Sequence, residues 1–355
     1  MASTPVFRYS LSFIAFIYCI SFPCILSCKS SIAETPEKTD TTNKYLNPVF
    51  IPVFADPAVI RGDDGWFYAY GTEDNWSVNE LHLIPILRSR DLVKWHFMND
   101  AFSTKPTWKN NGMLWAPNVN KIAGKYYMYY AYSLWGDPNP GIGLAISNIP
   151  LGPFNDYGKI FTSTEIGVEN SIDPFFFQEN GHNYLFWGSF RGIFGVELAP
   201  DGKSVSGEKF QIAGNAFEAS YIYKRGAYYY FFGSVGSCCD GIRSSYHVAV
   251  ARSSSIGGPY LDKSGNDIIN SEGTLFIQGN SKFVGPGHNA EIITDDKGND
   301  WFIYHAIERN NPNLPNGATR RPLMIDRIIW NDGWPTIKNN APSAEWISKP
   351  VIDPF

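Results

Sequence analysis

One hairpin, written five times, constrains this chain more than any other feature of its sequence. Its plainest copy is Ser171–Phe190, SIDPFFFQENGHNYLFWGSF. An aromatic strand carries an acid at its start, a Gly makes the turn, and a second aromatic strand follows. Phe, Tyr and Trp suit a half-buried pleated surface, and Gly181 sits where the turn asks for positive φ. Aligned on that glycine, the pattern recurs as DPAVIRGDDGWFYAYGT (56–72), WAPNVNKIAGKYYMYYAYS (115–133), EASYIYKRGAYYYFFGS (218–234) and NAEIITDDKGNDWFIYHA (289–306). Copies about 45 to 70 residues apart are the period of propeller blades. An irregular β-sandwich with similar hairpins is the alternative, but all five copies keep the same order of turn and aromatic runs. The expected fold is all-β, a five-bladed β-propeller.

That fold predicts where chemistry collects. The first strand of each blade lines a central channel, so equivalent positions of different blades meet at one mouth. The position eight or nine residues before the turn glycine is Asp56, Ala116, Asp173, Glu218 and Ala290. Three of these are carboxylates, which are seldom buried without a partner or a task. Their convergence predicts a reaction centre.

The rest of the chain narrows the class. A net charge of −5 over 355 residues gives no reason to expect nucleic acid or an anionic membrane surface as partner. Residues 1–28 stand apart: Arg8 precedes the apolar run Leu11–Leu26, which ends at Ser27-Cys28. This resembles an export signal closing on a bacterial lipobox, Ile25-Leu26-Ser27-Cys28, with Cys28 lipidated; a plain cleaved signal or an uncleaved anchor are the alternatives. The expected location is the periplasm or outer-membrane surface, with the membrane touched only through the lipid. Residues 29–46 are polar and read as a flexible tether. Residues 47–355 show no composition break and read as one domain, expected to be a monomer. Beyond the signal, Cys28 aside, only Cys238 and Cys239 remain. A bridge between adjacent residues makes a strained ring; two free thiols in a loop are the plainer reading, and the sequence leaves the bond open. There is no CxxC pair, phosphate loop or GxSxG elbow.

Carboxylates in this number suit glycoside hydrolysis. One protonates the leaving oxygen and another activates water or attacks directly. A third nearby raises the proton donor's pKa by repulsion. Trp and Tyr suit the apolar faces of sugar rings, although most of the 16% aromatic content is expected in blade packing.

At these residues the chain resembles a known family. ADPAV (55–59), WAPNV (115–119), SIDPFFF (171–177), FEASYIYKRG (217–226), GPGHNAEI (285–292) and RPLMIDRIIWNDGWP (321–335) are similar, in order, to glycoside hydrolase family 43. The resemblance implies Asp56 as general base, Asp173 as pKa modulator and Glu218 as general acid, acting with inversion. GSFRGIFGVEL (188–198), GSCCDGIRSSYHVAVARS (236–253) and YHA (304–306) look most like endo-1,5-α-L-arabinanases, which implies plant cell-wall arabinan or arabino-oligosaccharides as substrate. It also implies a calcium ion in the channel, held by His288 with waters; a channel histidine bonded to nearby backbone is the alternative. Trp115, Asn118, Asn170 and Ser189 are the candidates for sugar contact. Two positions depart from the pattern: Ala55 stands where arabinanases have His, and Ala219-Ser220 where many relatives have Ala-Pro. An exo-acting arabinofuranosidase or β-xylosidase is the competing enzyme. A non-catalytic carbohydrate-binding propeller is the competing class, and the presence of all three acids argues against it.

Overall fold

The computed structural model describes residues 1–2 and 41–353. The apolar run, Cys28 and most of the proposed tether lie outside the described residues. A compact unit begins at Thr41.

That unit is a five-bladed propeller of antiparallel sheets. The first blade is Ala58–Arg61, Phe67–Tyr70, Pro85–Ser89 and His96–Asp100; the second is Met113–Ile122, Lys125–Ser133, Gly141–Ser147 and Asn155–Thr162. The third is Phe175–Glu179, His182–Trp187, Ile193–Leu198 and Phe210–Ala213; the fourth is Phe217–Arg225, Tyr228–Val235, His247–Ser253 and Thr274–Ile277. In the fifth, the inner strand is broken into Phe283–Gly287 and Ile293–Thr294, followed by Asp300–Glu308, Leu323–Asn331 and Trp334–Ile337. The residues after Arg90 enter the first blade's outer strand at His96. One α-helix, the single capped turn Ser163–Ile166, occurs among the described residues.

Each repeated hairpin turns on its glycine. Gly65, Gly124, Gly181, Gly226 and Gly298 all have φ between 60° and 84°. At Gly124, Gly181, Gly226 and Gly298 an added Cβ would meet nothing within 4 Å, so conformation rather than space selects glycine there.

No single core serves the molecule; apolar clusters fill the seams between blades. Tyr68, Tyr70, Met128 and Tyr130 join the first blade to the second, and Leu144, Tyr129, Phe176 and Trp187 join the second to the third. Aromatic pairs lock these seams: Tyr129 stacks on Phe176 at 5.4 Å, Phe175 meets Tyr221 edge-on at 4.9 Å, and Phe276 meets Phe302 at 4.7 Å. Such pairs add about 0.5–1.5 kcal/mol each beyond area burial.

The ring closes with chain that the sequence reading assigns to the tether. Lys44–Tyr45 pairs with Ile347–Ser348, so the folded unit starts before Asn47. The following residues run along the fifth blade: Val49 N–H donates to Leu323 O, and Leu323 N–H to Phe50 O. Composition marked this segment as polar linker; its backbone pairing depends on a strand about 300 residues away, which composition cannot report.

Candidate active site

At the channel mouth each blade carries one non-glycine residue in the left-handed region: Asp56 (φ 51°), Ala116 (46°), Asp173 (58°), Ala219 (53°) and His288 (45°). Such backbone is costly and persists only where surroundings over-determine it. Here the fixing groups come from the blade before. The Ala116 N–H donates to Thr72 Oγ1 at 2.9 Å, Ala219 N–H to Asp173 Oδ2 at 3.2 Å, His288 N–H to Ser234 Oγ at 2.9 Å, and Asp56 N–H to His305 Nδ1 at 3.1 Å. Each bond ties neighbouring blades, so four of the five seams are fastened at the mouth.

This geometry corrects the equivalence read from the turn glycines. In the fourth blade the left-handed residue is Ala219, and Glu218 sits one place earlier, paired with Ser234 as Trp115 is paired with Ala131 in the second blade. In the fifth blade the left-handed position belongs to His288, not Ala290. Bulges in these strands shift the count, because each extra residue changes which face a side chain takes.

The three acids are nonetheless brought together, each no more than 9% exposed. Asp56 is held on all sides. Oδ1 accepts from Arg321 Nη1 at 2.8 Å and lies 3.3 Å from His288 Nδ1; Oδ2 accepts from Thr72 Oγ1 at 2.7 Å. Glu218 accepts two hydroxyls, from Ser189 to Oε2 at 2.7 Å and from Tyr246 to Oε1 at 2.6 Å. Asp173 faces the backbone amide that follows Glu218.

These surroundings separate the proton affinities. Burial alone would raise Asp56, but the charges of Arg321 and His288 outweigh it and hold its carboxyl well below the usual range. Glu218 is pushed up, chiefly by burial; Tyr246, Ser189 and His288 oppose this, and the charge of Asp56 adds to it. Asp173 is pushed up to about 7 by burial, opposed by His288 and reinforced by the charges of Glu218 and Asp56. Asp173 and Glu218 therefore titrate as a pair. The mouth holds one ionised carboxylate facing a pair that retains a proton near neutrality, the division of labour acid–base chemistry needs.

The remaining candidates divide. Trp115 is partly buried beside the strongly exposed Trp135, ring centroids 5.9 Å apart. Asn170 donates to Ser189 O at 3.0 Å and keeps partial exposure beside the site. Ser189 is buried and gives its hydroxyl to Glu218, so it positions the acid instead of meeting sugar. Asn118 is corrected more strongly. It is buried, donates to Glu291 Oε1 at 2.7 Å, and accepts from Asn120 and from Phe176 N–H. Glu291 in turn accepts from Val59 N–H at 2.7 Å. Asn118 is thus a tie among four blades along the channel wall.

The His288 Nδ1 lies 3.3 Å from Asp56 Oδ1, so this nitrogen meets a carboxylate. Among the described residues no group of three or more His, Cys, Asp or Glu side chains is arranged to hold a metal ion. The donors at His288 suit only an ion that keeps most of its water. The two adjacent cysteines, whose pairing the sequence leaves open, are joined, Cys238 to Cys239. Ala55 does not leave a hole: with Val53 it forms a small cluster with Leu314, and Trp76 packs against it. Sequence reasoning missed Thr72, Tyr246, His305 and Arg321. Three of them stand inside the quoted motifs YHV, YHA and RPL, but a motif does not say which atom a side chain meets.

The sequence profile of Glycosyl hydrolases family 43 matches residues 45–335. An extracellular endo-α-(1→5)-L-arabinanase of Bacillus subtilis is 34% identical over 79% of this chain and 86% of its own. An extracellular exo-α-(1→5)-L-arabinofuranosidase of Cellvibrio japonicus is 32% identical over 79% and 85%. Among solved structures, the α-L-arabinanase of Cellvibrio cellulosa complexed with arabinohexaose superposes with a TM-score of 0.71 at 31% identity, covering 81% of this chain and 95% of that one.

Proposed function

The chain belongs to glycosyl hydrolases family 43, and from that membership we propose an inverting hydrolase of α-1,5-linked L-arabinan that cuts within the polymer. The observation that carries the mechanism is the meeting of three buried carboxyls at one mouth: Asp56 held by Arg321 and Thr72, Glu218 held by two hydroxyls, and Asp173 on the amide that follows Glu218. In this reading ionised Asp56 takes a proton from a water as its oxygen bonds to the anomeric carbon. Glu218 gives its proton to the glycosidic oxygen as the carbon–oxygen bond breaks. Asp173 keeps that proton on Glu218 until it is needed. Arg321 and Thr72 keep Asp56 charged and aimed.

Product analysis on debranched arabinan tests this. A ladder of oligomers is the expected result, and no hydrolysis of any arabinan would remove the assignment. The exo reading is retained because an exo-acting relative is about as similar to this chain as an endo-acting one. Release of single arabinose units from the outset would select it.

The protein is exported, as the extracellular relatives are. Tethering through Cys28 is the finer proposal. Replacing Cys28 with Ala should move the protein from the membrane fraction to the soluble one; an unchanged distribution counts against it. Calcium is a second proposal at the same mouth. His288 would hold the ion by one imidazole nitrogen, with water filling most of its roughly six to eight positions. Ligation needs His288 neutral, so the bound ion would replace the imidazolium's positive charge beside the acids. Exhaustive chelation should lower both the thermal midpoint and the rate, with restoration by calcium but not magnesium; no change in either removes the ion.

A further inference from the structure

Two aromatic rings join the acid side of the channel to the base side. Tyr246 belongs to the fourth blade, just before His247–Ser253, and its hydroxyl reaches Glu218 Oε1 at 2.6 Å. Its ring lies parallel to that of His305 in the fifth blade, at 6.0 Å and 8°. His305 accepts the Asp56 N–H at Nδ1, so its proton must sit on Nε2. It is completely buried and held neutral, by burial first and by the nearby charge of Arg321 second. The chain also makes room for this pair. A Cβ on Gly287 would stand 2.1 Å from Tyr246 Cε1, and one on Gly285 would stand 2.3 Å from Ser244 Oγ, the atom that accepts the Tyr246 N–H. Two glycines of the GPGHN motif are thereby explained by the seat of one tyrosine.

We propose that Tyr246, braced on His305, is a positioning residue for the general acid: its hydroxyl is aimed at the carboxylate charge that develops as Glu218 releases its proton. This rests on the assignment of Glu218 as acid. A fixed hydroxyl placed where charge develops stabilises the transition state more than the ground state. It holds one oxygen of Glu218, as Ser189 holds the other, and so sets which way the proton leaves. The brace also transmits position. The stack on His305 and the His305–Asp56 bond make the separation of acid and base a property of two packed rings rather than of loops. The charged groups facing Glu218 are Asp173 from the third blade, Asp56 from the first and His288 from the fifth. None of them is altered by removing the hydroxyl.

The test is Tyr246→Phe, which keeps the ring and the stack. On arabinan, whose leaving alcohol needs full protonation, kcat should fall at least about tenfold with KM within about threefold. On an arabino-oligosaccharide with a nitrophenol leaving group the loss should stay under about threefold. The alkaline limb of kcat/KM should move to higher pH, because a hydrogen bond favouring ionised Glu218 has gone. Equal losses on both substrates, or an unmoved limb, in a variant of unchanged thermal midpoint would overturn the proposal. If Tyr246→Phe does not fold, Gly287→Ala presses on the ring without removing the hydroxyl and must show the same split between substrates. Glu218→Gln on the same two substrates separates the premises: wild-type turnover of arabinan there removes the acid itself, whereas loss on arabinan alone keeps it and leaves the brace to stand or fall on Tyr246.

Discussion

The catalytic reading rests first on single carboxylates. Asp56→Asn and Glu218→Gln should each lower turnover on arabinan by about three orders of magnitude or more, with circular dichroism unchanged. A wild-type rate in either variant takes that residue out of the mechanism. Arg321 offers a sharper check. Its charge is the main force holding Asp56 ionised against burial. Arg321→Leu should therefore raise the Asp56 pKa. Since the base works only when ionised, the acid limb of the rate profile should move to higher pH; an unmoved limb would mean that Arg321 is not what keeps Asp56 charged. These assignments were legible as residue types at repeated positions. Their partners were not: His305 and Arg321 reach Asp56 from about 250 residues away, and Thr72, at the end of the same hairpin, meets it only once the hairpin is folded.

At the scale of elements, the blade hairpin was readable because everything that makes it is local: two aromatic runs and one residue of free φ. The ring's closure was not. Asn47 shows what that closure is worth. Its side chain donates to Ile325 O at 2.9 Å and to Ser343 Oγ at 2.9 Å, and it accepts the Ile325 N–H at 3.0 Å. Asn47→Ala would take the acceptor from the buried Ile325 N–H, at about 1–3 kcal/mol for a typical unsatisfied group, and one donor each from Ser343 Oγ and from Ile325 O, which keeps the Tyr45 hydroxyl. Urea unfolding should show a loss of about 2–4 kcal/mol, with activity per folded molecule retained. A loss below about 0.5 kcal/mol would show that the N-terminal segment does not close the ring.

For the whole molecule, pH dependence follows from carboxyls buried away from the reaction. Glu291 is raised to about 7 by burial, against three hydrogen bonds that favour its ionised form. Asp326 is raised to about 6, again chiefly by burial. In both, the folded state binds the proton more tightly than the unfolded chain. Their contribution is fully present below about pH 4 and is lost as pH rises through about 6 to 7. Asp56 acts in the opposite sense: its depressed value lends stability above the ordinary carboxyl range, which is lost in acid. The thermal midpoint should therefore fall between pH 5 and pH 8, and Glu291→Gln should flatten that slope whatever it does to absolute stability; an equal slope would put Glu291's ionisation outside the balance. Stereochemistry is the other whole-molecule prediction. Asp56 and Glu218 come from the first and fourth blades, which are not neighbours in the ring. Their separation should fall in the roughly 6.5–9.5 Å range that admits a water, and proton NMR should show a β-configured first product. An initial α anomer would make Asp56 a nucleophile. The sequence by itself determined the repeat, the turn glycines, the three acids and the family resemblance, since each is a matter of residue type and local order. Only the tertiary structure decided that Asn118 ties blades together, that Ser189 and Tyr246 serve the acid, that Glu218 sits one place off its counterparts, and that residues 44–54 close the ring. These depend on register and on contacts across blade seams, where a single bulge exchanges the inner face of a strand for the outer one, and neither is written in any local stretch of chain.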